Sequence, residues 1–135
     1  MKSQRFGIEI EMTGLTRRSA ALIIAKHFDT GFRHERGVYD TYSVCDQDGR
    51  KWKIVRDASI TPQCGNRFDY DPDYKVEVVS PICHYEDIET IQSIVRELRR
   101  NGHAKVNESC GIHIHVDASK HTARSLRNIA NIMYS

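Results

Sequence analysis

The sequence has no long apolar run, no closely paired cysteines and almost no net charge, and each absence closes a class of function. Its longest apolar stretches are a few residues, far short of the ~20 that a membrane-crossing helix needs. The opening MKSQRFGIEIEM carries no apolar signal core. Lysine and arginine number 20 against 18 acidic residues, a net charge of +2. That leaves no basic footprint for nucleic acid and no acidic tail, so neither nucleic acid nor a membrane is expected as a partner.

Cys45, Cys64, Cys83 and Cys110 form no Cys-x-x-Cys pair, whereas structural zinc usually takes ligands in close pairs. A 135-residue chain does not need disulfide staples, so the cysteines read as reduced thiols of a cytoplasmic protein. A Gly-rich phosphate loop, a nucleophile elbow and a catalytic Cys-His signature are all missing. The acidic DYDPD stretch lacks the Gly and Glu that a calcium loop requires. No internal repeat or low-complexity segment is present.

What remains is an ordinary folded domain, 39% hydrophobic and 28% charged. Arg5 to Met12 alternates as a half-buried strand does. Thr16 is placed to cap a helix over RRSAALIIAKHF, with Ala20, Ile23, Ile24 and Phe28 as its stripe and an end near Gly31. Val38–Cys45 and Arg50–Arg56 flank the turn cluster DQDG, which predicts a hairpin. DASITPQCGNRFDYDPDY reads as a polar loop, and KVEVVS as a strand stopped by Pro81. YEDIETIQSIVRELRRNG predicts a helix lined by Ile88, Ile91, Val95 and Leu98 and terminated by Gly102. A short strand at Ala104–Val106 and the strand in CGIHIHVD follow.

The last run, TARSLRNIANIMYS, sets Leu126, Ile129, Ile132 and Met133 at helical spacing with no stop signal. The chain is therefore expected to be the N-terminal portion of a longer one. The order β-α-β-β-β-α-β-β-α predicts an α+β domain, a largely antiparallel sheet with helices on one face.

Two strands share one arithmetic. GIEIE and GIHIH each put a glycine and two ionisable residues on one face and isoleucines on the other. An antiparallel sheet has one wet face, which alone accounts for some polar residues. Yet Glu9 and Glu11 repel each other unless a cation lies between them. With His113 and His115 they make a divalent-metal donor set, and the excess of carboxylates favours Mg²⁺ or Mn²⁺ over Zn²⁺. Lys53 shares a strand face with Val55 and Asp57, placed to meet a phosphate or a carboxylate. Glu77 stands between valines, where a carboxylate needs a partner if buried.

RFGIEIEM, WKIVRDASI, VEVVSPI and CGIHIHVDAS, in that order, resemble the amidoligase family, which is related to glutamine synthetase and glutamate–cysteine ligase. The resemblance implies a glutamine synthetase-like domain, a curved antiparallel sheet whose concave face holds divalent metals and ATP. It implies a ligase that joins a carboxylate to an amine through an acyl phosphate. By resemblance Glu9, Glu11 and Glu77 match the family's carboxylates, and Asp57 and Ser59 its Asp-x-Ser element. Glu9, Glu11, Asp57 and Glu77 are then expected to be catalytic, Glu9, Glu11, Glu77 and His113 to hold the metal, and Ser59 and His115, with Lys53 from its strand face, to meet the nucleotide. Relatives continue further, with arginines that meet phosphate and substrate, so residues 1–135 are expected to turn over little alone. Two competing readings are a metal-dependent hydrolase built on the same Glu/His cluster and a non-catalytic nucleotide-binding fragment.

Overall fold

The computed structural model describes residues 4–116. The expected last helix, with Leu126, Ile129, Ile132 and Met133, lies outside the described residues, as do Asp117 and His121. In chain order the strands are β1 (Arg5–Met12), β2 (Phe32–Arg36), β3 (Thr41–Cys45), β4 (Lys51–Val55), β5 (Gln63–Cys64), β6 (Arg67–Phe68), β7 (Val76–Val79), β8 (Cys83–His84) and β9 (Ile112–Val116). The helices are α1 (Arg17–Phe28) and α2 (Ile88–Gly102).

The main sheet runs β2-β3-β4-β7-β1-β8, with β9 also paired to β1. Every pairing in it is antiparallel. The fold is thus α+β. The central strand, β1, buries Phe6, Ile8, Ile10 and Met12 on one face, as its alternation requires. β7 and β8 lie along β1 as one run broken at Ser80-Pro81. Proline has no N–H to give the ladder. Ser80 compensates there: its N–H donates to the Ile8 carbonyl, and its hydroxyl accepts from the Ile8 N–H, both at 2.9 Å.

Both helices cover the same face. Ala20, Ile24 and Phe28 of α1 and Ile91, Ile94 and Leu98 of α2 join Ile8, Trp52, Ile54 and Val78 in one core. Thr16 caps α1, its Oγ1 accepting from the Ser19 N–H at 3.1 Å. The polar β3–β4 turn is locked to the start of α2 by Arg50, which donates to Asp46 at 3.0 Å and to Asp87 at 2.9 Å. Asp46 is buried and also accepts from the Trp52 indole at 3.1 Å.

Several local expectations change. α1 ends at Asp29 in a left-handed conformation (φ 56°), before Gly31. α2 is closed by His103 (φ 61°), and Gly102 lies inside it. Gly102 serves the contact between the helices instead: a Cβ there would stand 2.7 Å from Ile23 Cδ1 and 2.9 Å from Leu15 Cδ1. The segment at Ala104–Val106 forms a single bridge, Thr13 to Lys105, and no strand. FRHER, too charged to signal a strand, pairs with β3 as β2, with an irregularity between His34 and Arg36. The polar loop contains the small hairpin β5–β6, turned at Gly65 (φ 64°).

Candidate functional site

The sheet face away from the helices carries the ionisable residues, and strand register arranges them in rows. One row reads Arg33, Ser43, Lys53, Val79, Glu9, His113 from β2 to β9. The next reads Val55, Glu77, Glu11, with the Glu11 N–H bonded to the Gly111 carbonyl at 3.0 Å. Glu11 and Glu77 are direct cross-strand partners, and like charges so placed destabilise a sheet unless something neutralises them.

Two donor sets result. Ligand-type atoms of Glu9, Glu77 and His113 lie within 4.8 Å of one another, and so do those of Glu11, Asp57 and Glu77. Glu77 belongs to both. Glu9 Oε1 also faces both imidazoles, 3.5 Å from His113 Nδ1 and 3.2 Å from His115 Nε2. His115 stands opposite Gly7, where a Cβ would meet nothing within 4 Å, so the surface beside it is open.

The electrostatics follow from this crowding. Burial pushes the Glu77 carboxyl up to about 7, and the charges of Glu9, Asp57 and Glu11 add to the push. Burial also raises Glu11, which is further raised by its hydrogen bond with Asp57. That bond holds Asp57 below the usual carboxylate range, with the Ser59 contacts helping. The protein thus gathers more carboxylate charge than one histidine offsets. Oxygen-rich sets of this kind suit Mg²⁺ or Mn²⁺.

Glu9, Glu11, Asp57, Glu77, His113 and His115 therefore meet on one face. Lys53 stands on the same face, two strands from Glu9, exposed and without an ion pair among the described residues. Ser59 turns to Asp57: its N–H and hydroxyl donate to Asp57 Oδ1 at 2.9 and 2.7 Å. Alternation puts Asp57 on the Lys53 face but in no donor set; past the end of β4 the loop carries it to Glu11 and Glu77. Nor does the sequence mark the Gly111 N–H, which donates to Glu11 Oε1 at 2.7 Å. The only hint was a glycine two residues before His113.

Among the described residues no helix is long and apolar enough to cross a membrane. No curated protein and no solved structure matches the chain. Residues 2–135 match the family model described as "Putative amidoligase enzyme", and the chain belongs to that amidoligase family.

Proposed function

We propose that this acidic sheet face is the metal-binding half of an ATP-dependent carboxylate–amine ligase site. The family is one of ligases in general; the observation that supports the finer reading is the pair of donor sets sharing Glu77. Glu9, Glu77 and His113 would hold one Mg²⁺ or Mn²⁺, and Glu11, Asp57 and Glu77 a second. Bound there, the cations neutralise phosphate charge and polarise the phosphoryl oxygens.

In the overall reaction a substrate carboxylate oxygen takes the terminal phosphoryl group of ATP, releasing ADP. The amine then attacks the acyl carbon, loses a proton and expels inorganic phosphate. The chain's own residues supply positioning. The Gly111 N–H fixes the Glu11 carboxylate, Ser59 fixes Asp57, and Glu9 Oε1 faces both imidazoles. His115 and Lys53 flank the cluster on the open face, placed to meet the nucleotide's phosphates or the substrate carboxylate. The four thiols are unpaired, which suits a reducing cytoplasmic setting.

The test is calorimetric Mn²⁺ binding, with and without ATP, to the native chain, Glu11→Ala and His113→Ala. Affinity in the presence of ATP should fall tenfold or more in each variant, while folding survives because both side chains lie off the apolar face. Equal affinity in all three proteins would overturn the assignment. Tight Mn²⁺ binding indifferent to ATP would favour a metal-dependent hydrolase.

A further inference from the structure

Glu11 stands between two segments. Carboxylate oxygens of Glu11 and of Asp57, from the segment after β4, lie within 4.8 Å of each other, and the Gly111 N–H, from the segment leading into β9, donates to Glu11 Oε1 at 2.7 Å. A few residues away these segments are fastened to each other. The Thr61 N–H donates to Ser109 Oγ at 2.7 Å, and that hydroxyl donates in turn to Asn107 Oδ1. Asn107 Nδ2 donates to the Thr61 carbonyl at 2.9 Å and to Gln63 Oε1 at 2.6 Å. Both backbone groups of Thr61 are thus satisfied by side chains two residues apart, in place of a strand partner.

The connection from this seam to Glu11 is short and stiff on both sides. Ile60, next to Thr61, is buried, and Ser59 binds Asp57. On the other side the Cys110 N–H donates to the Asn107 carbonyl at 3.0 Å, immediately before Gly111. None of the seam residues belongs to either donor set.

We propose that Asn107 and Ser109 are positioning residues. By tying the 57–63 segment to the 107–111 segment they hold the Glu11 carboxylate in the orientation a divalent cation requires. The metal part of this rests on the reading of the face given above. With the seam cut, the 107–111 segment moves independently of the 57–63 segment, and the Gly111 N–H no longer holds Glu11 in place beside Asp57. A carboxylate that must be ordered during binding holds a cation less tightly than one already fixed.

The experiment compares the native chain with Asn107→Ala, Ser109→Ala, Ser109→Thr and Arg50→Ala. Hydrogen-exchange protection of the Gly111 amide, read by NMR, reports the grip on Glu11, and calorimetry with Mn²⁺ reports its use. Asn107→Ala and Ser109→Ala should each lower Gly111 protection and Mn²⁺ affinity by about tenfold. Ser109→Thr keeps the hydroxyl and should restore both. Arg50→Ala lowers melting temperature by breaking an ion pair away from the seam, and should change neither. Native-like Gly111 protection in both alanine variants, or an equal loss in Arg50→Ala, would overturn the proposal. If Asn107→Ala does not fold, Ser109→Ala against Ser109→Thr decides. A native chain that binds no Mn²⁺ sinks the metal reading, while the Gly111 amide still judges the grip.

Discussion

Glu77→Gln should make the metal-free protein more stable at pH 8 and at the same time blind it to metal. The substitution keeps shape and removes one charge from a strand position directly opposite Glu11. Burial and the charges of Glu9, Asp57 and Glu11 push the native carboxyl from its ordinary 4.5 up to about 7. The folded state therefore binds this proton more tightly than the unfolded chain does. Between pH 4.5 and about 7 the fold loses stability as pH rises, and above that window the whole penalty is present. The gap converts to roughly 3 kcal/mol. Glu77 is only half-buried and faces water, which screens this to about 1–2 kcal/mol.

For a domain of this size that is about 3–8 °C in melting temperature. Thermal unfolding with a chelator present should show Glu77→Gln above native at pH 8 and level with it at pH 4. Millimolar Mn²⁺ should raise the native melting temperature by mass action and leave the variant unchanged. A variant less stable than native at pH 8 without metal would refute the reasoning, because the Glu77 charge would then be compensated within the protein.

Two further predictions concern the scaffold. Gly14→Ala combines a left-handed backbone (φ 90°) with a Cβ that would stand 2.6 Å from the His103 carbonyl oxygen, and should cost about 2–4 kcal/mol in denaturant unfolding. Arg50→Ala strips the partner from Asp87 and from buried Asp46, and should cost about 1–3 kcal/mol near neutral pH. Asp87 is held below its ordinary range first by its Arg50 hydrogen bond. Its part of that stability is therefore present above the ordinary carboxylate range and is lost as pH falls through the depressed value, so the deficit should shrink towards acid pH.

The faces of β1 and β9 were legible in the sequence because period two leaves a strand no choice once its isoleucines must be buried. For the same reason Glu9 and Glu11 share a side, and so do His113 and His115. The helix caps were only half legible. Gly102 looks like a stop signal, but the close approach of Ile23 and Leu15 claims it, leaving His103 to adopt the left-handed turn. Alternation also says nothing of which strands are neighbours. β7 lies between β1 and β4, so Glu77 comes to both donor sets through pairings that span tens of residues. Asp57 reaches the cluster from a loop, and the seam of Thr61, Asn107 and Ser109 is made of side-chain bonds to backbone, with no periodicity to betray them. β2 escaped because an edge strand needs few apolar residues and can carry charge.

The proposed function has Glu77 shared by two cation positions on this face. Electron paramagnetic resonance of Mn²⁺ titrated into the chain in the presence of ATP tests it most directly, since two ions joined by one carboxylate couple their spins. An exchange-coupled spectrum should appear as the second equivalent binds and be lost in Glu77→Gln. A spectrum of isolated ions at every ratio, unchanged by that substitution, would contradict it.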